Sequence, residues 1–318
     1  MNIKNLLLIS FISVTALEAN AGEKAYVANE VSGNVSIIDL AKGAVEKVVP
    51  EEGTFGKKIQ KVIVDNQGKY LYVADAKGNA VVVYDLAANA IKARLAVGES
   101  PEGMDISPVG DELAVCLEEE HAVAFVNLNT LKIDHKIKTS GRNPEHCLYS
   151  PDKKFLFASN EETNDVDVID LTNKKSIALI KTGGHPRGMG FLKDGKTLYV
   201  AKETANQVDV IDASTKKIIS TIPVGARSNG VAISPDSTKV YISNGGDGTV
   251  SVIETTSNKV VATISVGKRP WNMALSQDGS QLYVANGRSN DVSVIDTVKN
   301  FVIKTIPVGK LPWGVYIK

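Results

Sequence analysis

The segment QLYVANGRSNDVSVID, residues 281–296, decides how this chain folds. Its two halves alternate apolar and polar residues on either side of a Gly-Arg-Ser-Asn centre, which is the pattern of two short β-strands joined by a turn. The opening Tyr-Val-Ala-Asn recurs along the chain. Close copies begin at Tyr26, Tyr72 and Tyr199, and weaker copies begin at Ala114, Phe157 and Tyr241. The recurrence indicates a repeat protein.

A glycine corner, in most copies Gly-x-x-Pro, marks each repeat. Its glycines lie 42 or 43 residues apart, at Gly56, Gly98, Gly141, Gly183, Gly225, Gly267 and Gly309. In the sixth repeat, four β-rich runs at residues 271–276, 281–285, 291–295 and 301–307 are separated by turn residues. Four short strands per repeat, seven times over, predict an all-β chain forming a seven-bladed β-propeller of four-stranded antiparallel blades.

The two ends of the repeat array predict how the ring closes. The array opens near Lys24 with the second strand of a repeat, and it ends at residues 313–318 with a first strand that nothing follows. Unpaired strand edges invite aggregation. We therefore expect the C-terminal strand to join the N-terminal blade and complete it.

The first residues have the layout of a secretory signal peptide. Lys4 precedes an apolar run at residues 6–17, which is too short to span a membrane, and Ala19-Asn20-Ala21 fits a cleavage site. The sequence predicts cleavage after Ala21, a propeller domain at residues 22–318, and a periplasmic or secreted location. No integral membrane segment is expected after cleavage.

Charge and cysteine content exclude several classes of protein. Lysine plus arginine and aspartate plus glutamate both number 36, so the net charge is zero and nucleic acid is not a predicted partner. Two cysteines cannot build a disulfide framework or a four-cysteine zinc site. Cys116 and Cys147 follow an apolar repeat pattern, which favours buried thiols, although export leaves a disulfide between them open.

The repeats resemble the YVTN family of seven-bladed β-propellers over residues 22–318. The closest similarity is to the subgroup associated with pyrroloquinoline-quinone-dependent alcohol catabolism, carried by Lys268-Arg269-Pro270-Trp271, by the NGRSND run at residues 286–291 and by Pro312-Trp313-Gly314. The resemblance implies an accessory role beside a periplasmic dehydrogenase. Quinone-binding propellers carry a tryptophan in each blade, whereas this chain has two tryptophans, so we expect no bound quinone. The sequence identifies no other cofactor.

The glycine corners and the loops after the second strands are expected to share one face around the central channel, which is the default site of a propeller. The corners and the residues beside them are rich in lysine and arginine, whereas the loops are rich in acid. This predicts positive charge near the axis and negative charge outside it. The candidate anion-binding residues are Arg142, Arg187, Arg227 and Arg269; the alternative is that these arginines are solvated or pair with the acidic loops.

His146 departs from the repeat pattern, because four of its six equivalents are glycine. We expect its side chain to project near the mouth of the channel, where the glycines leave space. His185 lies in the adjacent corner. The pair is a candidate for ligand hydrogen bonding and a weaker candidate for metal or haem ligation; packing or solvation is the alternative.

Trp271 and Trp313 occupy equivalent positions in neighbouring repeats. They are expected either to offer a stacking surface to a planar or cationic ligand or to plug the channel. No nucleophile, base and orienting group can be assembled from the sequence. The sequence therefore favours a monomeric, non-catalytic propeller that binds a periplasmic protein or a small anionic ligand. The alternative is a haem d1-type or metal-binding propeller with redox or lactonase-like activity.

Overall fold

Alternating β-branched and aromatic residues build short strands throughout the computed structural model, which describes residues 22–318. This part of the chain forms seven four-stranded antiparallel sheets. The first fourteen strands are β1 Lys24–Asn29, β2 Asn34–Asp39, β3 Ala44–Val49, β4 Ile59–Val64, β5 Tyr70–Asp75, β6 Ala80–Asp85, β7 Ala90–Leu95, β8 Pro101–Ile106, β9 Glu112–Leu117, β10 Ala122–Asn127, β11 Lys132–Lys138, β12 Pro144–Tyr149, β13 Phe155–Asn160 and β14 Asp165–Asp170. The remaining strands are β15 Lys175–Lys181, β16 Pro186–Phe191, β17 Thr197–Lys202, β18 Gln207–Asp212, β19 Lys217–Pro223, β20 Ser228–Ile233, β21 Lys239–Asn244, β22 Thr249–Glu254, β23 Lys259–Ser265, β24 Pro270–Leu275, β25 Gln281–Asn286, β26 Asp291–Asp296, β27 Phe301–Pro307 and β28 Pro312–Ile317.

Each sheet is one blade of a β-propeller. Blade 1 has the order β28-β1-β2-β3, and blades 2 to 7 are the successive groups of four from β4 to β27. The first strand of each blade faces the axis, and the strand order runs outward from it. The prediction of an all-β, seven-bladed propeller is confirmed.

Blade 1 closes the ring through its last and first strands. Strand β28 pairs antiparallel with β1, so that Val315 lies opposite Val27. The backbone N–H of Lys24 donates to the carbonyl of Lys318 at 2.7 Å, and the N–H of Lys318 donates back at 3.0 Å. Closure by the C-terminal strand is confirmed, and it leaves no blade with a missing inner strand.

One hydrogen bond, between an asparagine and a serine, recurs inside three of the hairpins and explains these residues of the repeated motif. The side-chain amide of Asn286 donates to Ser293 Oγ on the next strand at 2.8 Å, and Asn29 donates to Ser36 in the same way at 2.9 Å. The glycine in the corner that leads into the same blade packs against this asparagine. A Cβ on Gly309 would lie 2.5 Å from Asn29 Cγ, so only glycine fits there.

The hydrophobic core lies between neighbouring blades. Tyrosines of the second strands, such as Tyr72, Tyr199 and Tyr283, are almost fully buried against the next sheet. Residues 22–318 include no helix of the length and hydrophobicity that a membrane span requires. The predicted signal peptide, residues 1–21, lies outside the described residues.

Candidate functional site

A funnel opens at the end of the channel where the corners meet the loops after the second strands. Its volume is about 280 Å³. The second residue of each inner strand forms its wall, so that each blade contributes one side chain. These seven residues are Gln60, Glu102, Glu145, Arg187, Asn229, Trp271 and Trp313, and further lining comes from Glu30, Glu118, Glu161 and Arg269.

Carboxylates dominate the side of the funnel formed by blades 1 to 4. Glu102 is 4% exposed and accepts a hydrogen bond from Lys58 Nζ at 3.0 Å. Burial, followed by repulsion from Glu118, raises the pKa of Glu102 above its usual range. Burial also raises the pKa values of Glu30 and Glu161. The raised pKa values show that burial outweighs the stabilisation that nearby cations give to these carboxylates.

Arginines dominate the opposite side, where one carboxylate holds three of them. Glu203 is 2% exposed and accepts hydrogen bonds from Arg187 Nε at 2.8 Å, Arg227 Nε at 2.9 Å and Arg269 at 3.0 Å. Burial by itself raises the pKa of Glu203, but the three guanidinium groups outweigh it and hold the pKa below its usual range. Arg187 also pairs with Glu145 and Glu161.

The predicted separation of charge, positive near the axis and negative outside it, is wrong. Glu30, Glu118, Glu161 and Glu203 each follow directly after a second strand, and the first three of them line the funnel. Only the later loop acids, such as exposed Glu119 and Glu162, point away. The lining contains five carboxylates against two guanidinium groups.

The floor of the funnel is an aromatic stack. Trp313 of blade 1 reaches His146 of blade 4, with ring centroids 5.7 Å apart and planes 15° from parallel. The two side chains are 5% and 7% exposed. Trp313 lines the funnel, whereas His146 lines a separate space below it. Trp313 thus plugs the channel, as one of the two predictions for the tryptophans stated.

Trp271 has a different environment from its equivalent. Its indole is partly exposed and lies against Gly287, where a Cβ would come 2.5 Å from the ring. The Arg269 guanidinium lies 5.6 Å from the ring centroid, within the range of a cation–π contact. Trp271 therefore keeps an aromatic face at the wall of the funnel.

The glycines equivalent to His146 do not leave the open space that the sequence suggested. A Cβ on Gly103 would lie 2.3 Å from the carbonyl oxygen of Glu145, and one on Gly230 would lie 2.4 Å from that of Trp271. These glycines allow neighbouring inner strands to approach each other. His146 is accommodated instead as a buried side chain at the channel centre.

An inner cavity of about 90 Å³ lies beneath the floor. Its lining includes Lys61, Asp105 and His146. Burial raises the pKa of Asp105 to about 6 and lowers that of Lys61, although the two groups stabilise each other's charge. Burial, together with the charge of Lys61, lowers the pKa of His146 to about 3, so this imidazole is neutral at neutral pH.

His146 and His185, predicted as a pair, occupy different places. His185 lies at the rim with its Nδ1 3.3 Å from Glu161, and its side chain is 41% exposed. Within residues 22–318, no group of three or more histidine, cysteine, aspartate or glutamate side chains is placed to hold a metal ion. Arg142 is also peripheral, because it forms an exposed pair with Glu162 at 3.0 Å.

Cys116 and Cys147 are both buried and both free. Burial, followed by the nearby Cys147 thiol, raises the pKa of Cys116 well above its usual range. The expectation of buried thiols is confirmed. Cys147 also faces the carbonyl of Gly103 at 3.6 Å.

Sequence reasoning missed Glu203 and the acids of the funnel wall. Glu102 and Glu145 occupy the same repeat position as the two tryptophans, and this equivalence was a usable signal. Glu203 shares its position with Glu30, Glu118 and Glu161. Two larger hollows, of about 460 and 580 Å³, are open grooves at the outer edges of blades and bring together no comparable set of buried charges.

The YNCE-like beta-propeller family model matches residues 27–275. The chain belongs to this family. The matched region covers most of the seven blades, and it includes the arginine cluster around Glu203 but neither Tyr283 nor Trp313. A search of curated proteins found no match.

Several solved structures share the fold. Hydrazine synthase from Kuenenia stuttgartiensis is 22% identical with a TM-score of 0.80, covering 87% of this chain and 93% of that one. A functionally unknown protein from Desulfotomaculum acetoxidans is 15% identical with a TM-score of 0.77, covering 92% and 98%. The dihydro-heme d1 dehydrogenase NirN, in complex with DHE, is 15% identical with a TM-score of 0.69, covering 94% and 75%. At these identities the similarity establishes the fold alone.

Proposed function

We propose that this chain is a non-catalytic binding propeller whose funnel receives a segment of a partner protein or a small ligand. The predicted signal peptide supports a periplasmic or secreted location, and the resemblance to propellers of alcohol catabolism supports an accessory role in a periplasmic redox system. The funnel is the site because it collects the buried charges of several blades.

The observation that carries this proposal is a buried polar wall with unused acceptors. Gln60 Oε1 and Asn229 Oδ1 have no hydrogen-bond partner among residues 22–318, although both side chains are about 95% buried, at 4% and 5% exposure. An unsatisfied buried acceptor costs roughly 1–3 kcal/mol. If these side chains only filled the channel, apolar residues would give a more stable protein. The polar wall therefore favours recognition of a ligand.

The lining favours an occupant with a cationic, donor-rich group. Carboxylates outnumber guanidinium groups, and the two unused amide oxygens are also acceptors. Burial, followed by repulsion from Glu118, raises the pKa of Glu102, and an ammonium or guanidinium group directed at both carboxylates relieves that repulsion. Trp271 supplies a face on which such a cation can stack.

The anionic ligand expected from the sequence remains the second candidate. It is supported by Arg227, whose side chain is 57% exposed at the rim and is held in place by Glu203. An anion at Arg227 does not have to displace Glu203, because one side of the guanidinium group faces solvent. An occupant with both charges can therefore span the funnel from Glu102 to Arg227.

Tryptophan fluorescence tests the proposal directly, because both tryptophans of the chain line the funnel. Spermidine serves as the cationic probe and citrate as the anionic probe. We expect saturable quenching by spermidine that weakens with salt. Glu102→Gln should weaken spermidine binding by about tenfold or more, which corresponds to about 1.4 kcal/mol.

Glu99→Gln is the matched control, because Glu99 is an exposed corner residue outside the funnel lining. It should leave the titration unchanged. The anionic candidate is supported instead if the wild-type protein binds citrate and does not respond to spermidine, and if Arg227→Ala abolishes citrate binding. Two results together contradict the proposed function. One is that neither probe changes the fluorescence, and the other is that native mass spectrometry of a periplasmic extract finds the chain without a bound ligand or partner.

The haem- or metal-bearing alternative has less support from the geometry. Its two proposed ligands do not share a space, since His146 lies below Trp313 and His185 pairs with Glu161 at the rim. A visible absorption band after incubation with haem, lost in both His146→Ala and His185→Ala, would favour this alternative.

A further inference from the structure

Lysine side chains are concentrated at the end of the propeller opposite the funnel. Each of blades 2 to 7 has two turns there, an inner turn between its first and second strands and an outer turn between its third and fourth strands. In blades 4 and 5 these turns span residues 150–155, 170–175, 192–197 and 212–217, and they contain eight lysines against four aspartates. The four turns form the lysine face, whose lysines are Lys153, Lys154, Lys174, Lys175, Lys193, Lys196, Lys216 and Lys217.

The same turns in other blades lack this charge. Eight lysines and four aspartates give the lysine face a net charge of +4, whereas the two equivalent six-residue turns of blade 2, 3, 6 or 7 together carry 0 or −1. Every blade builds turns at these places, so forming them does not require lysine. The positive charge is therefore a feature of blades 4 and 5 that the propeller fold does not explain.

Three of these lysines occupy backbone positions that disfavour them. Lys153, Lys174 and Lys216 have positive φ values of 55°, 51° and 57°. Glycine and asparagine adopt this left-handed conformation most readily. The residues equivalent to Lys153 are four glycines and a serine, and those equivalent to Lys174 and Lys216 are three asparagines, a glycine and a leucine. Lysine destabilises these turns relative to glycine or asparagine, which favours a role outside the fold.

Contacts between the turns show that the lysine face is continuous. In blade 4, the backbone N–H of Leu171 in the outer turn donates to the carbonyl of Lys154 in the inner turn at 3.0 Å, and blade 5 has the equivalent bond at 2.8 Å. The ammonium group of Lys216 lies 5.7 Å from the ring centroid of Phe155, which joins blade 5 to blade 4. The four turns therefore form one surface.

Most of these lysines have no counter-charge. Among residues 22–318, six of the eight form no ion pair; the exceptions are Lys153, which pairs with Asp111, and Lys154, which lies 3.4 Å from Asp152. The four aspartates of the turns accept hydrogen bonds from backbone N–H groups of their own turns at 2.8 to 3.1 Å. The aspartates thus stabilise the turns, whereas most of the lysines extend into solvent.

Apolar side chains border the lysine face. Ile177 of β15 is 40% exposed, and Ile218 and Ile219 of β19 are 38% and 60% exposed. All three follow the last lysine of an outer turn within two residues. Lysines beside exposed isoleucines fit the boundary between the headgroups and the acyl chains of a lipid bilayer.

We propose that the lysine face binds the surface of an anionic lipid bilayer through the phosphate groups of its lipids, with Ile177, Ile218 and Ile219 reaching the headgroup region. Clusters of roughly 4–8 cationic residues at a membrane surface bind anionic lipids. Lysine is a point charge on a flexible stem, which suits phosphates that have no fixed positions. The lysine face contains no arginine, whereas protein–protein interfaces are rich in arginine and poor in lysine. The funnel then faces away from the bilayer, so this proposal does not depend on what the funnel binds.

Sedimentation with lipid vesicles tests the proposal. We expect the protein to bind vesicles made of phosphatidylglycerol and phosphatidylcholine in equal parts, and not vesicles of phosphatidylcholine alone. Binding should weaken as salt is added, because salt screens exposed charges beyond about 10 Å at 0.1 M ionic strength. Poly-L-glutamate represents an acidic protein partner. Binding to poly-L-glutamate without binding to the anionic vesicles would overturn the proposal.

Lys174→Asn combined with Lys216→Asn removes two charges in a way that the fold should tolerate, because asparagine occupies the equivalent position in blades 2, 6 and 7. Each lysine near an anionic surface strengthens binding by roughly fivefold, which is about 1 kcal/mol, so this double variant should bind about 25-fold more weakly. The control is Lys57→Gln combined with Lys77→Gln, which removes the same charge from exposed positions on the funnel side. It should change binding by less than about twofold, since these lysines lie far from the bilayer. Equal losses in the two double variants would overturn the proposal.

Brominated lipids give a measurement on the wild-type protein. Bromine quenches a tryptophan only at short range, and both tryptophans line the funnel, at the other end of strands that are about 20 Å long. Vesicles that contain brominated phosphatidylglycerol should therefore sediment the protein without quenching its fluorescence. Quenching would place the funnel side on the bilayer and overturn the proposal.

Discussion

His146 and Trp313 stack on each other from blades that lie on opposite sides of the channel, with ring centroids 5.7 Å apart. The pair divides the axial space into an open funnel and a closed inner cavity. Aromatic pairs of this kind contribute about 0.5–1.5 kcal/mol beyond the area they bury. The contact joins blade 4 to the closing blade 1.

Trp313→Ala should destabilise the protein by about 3–5 kcal/mol, because it removes a large buried side chain and with it the stacking contact to His146. Trp271→Ala is the matched control, since its indole is partly exposed, and it should cost about 1–2 kcal/mol. Urea unfolding followed by circular dichroism measures both losses. Equal losses would mean that Trp313 is not the structural floor.

The buried imidazole predicts a dependence of stability on pH. Burial lowers the pKa of His146 to about 3, below its unfolded value of about 6.5, so between these pH values the unfolded chain binds a proton that the folded chain does not. Stability contributed by His146 is therefore present above pH 6.5 and is lost as pH falls toward 3. The slope is about 1.4 kcal/mol per pH unit within this window.

His146→Phe should remove that part of the slope while keeping the aromatic contact. The free energy of unfolding, measured from pH 7 to pH 4 for both proteins, gives the difference. Asp105 acts in the opposite direction, because its pKa is raised to about 6 and it favours the folded state as pH falls. Parallel curves for the two proteins would show that His146 is exposed to solvent.

Glu203→Gln should cost about 3–5 kcal/mol, because it leaves the largely buried Arg269 without a counter-charge among the described residues and removes one of the three carboxylates that pair with Arg187. The control is Glu162→Gln, which removes an exposed partner of Arg142 and should cost less than about 1 kcal/mol. Thermal unfolding of the two variants separates these cases. A small loss for both would mean that the arginine cluster reorganises around water.

The two thiols should be unreactive in the folded protein. Cys116 and Cys147 are buried, and the pKa of Cys116 is raised, so little thiolate is available. Ellman's reagent should release almost no colour from the native protein and two equivalents after denaturation. A native protein that yields no thiols after denaturation would instead contain the disulfide that an oxidising compartment permits.

The architecture was predictable from sequence because its determinants repeat. The run at residues 281–285 corresponds to strand Gln281–Asn286, and the run at 271–276 is offset by one residue from Pro270–Leu275. A spacing of 42 or 43 residues and the asparagine–serine bond are local features. Each copy supports the others, so the number of blades and the closing strand followed directly.

The funnel was harder to predict, because spacing does not encode the radial direction of a side chain. Glu118 and Glu119 are adjacent in sequence, yet Glu118 lines the funnel and Glu119 is exposed. The contact between His146 and Trp313 joins residues that are 167 positions apart.

Trp313 belongs to β28, the last of the described strands in chain order, and β28 pairs with the first. During synthesis from the N-terminus, this tryptophan emerges after all the other residues that surround the inner cavity. The cover of the cavity therefore arrives in the same step that joins the two ends of the ring. Anything held beneath Trp313 must enter before that step, pass through the opposite end of the channel, or wait for the terminal strand to detach.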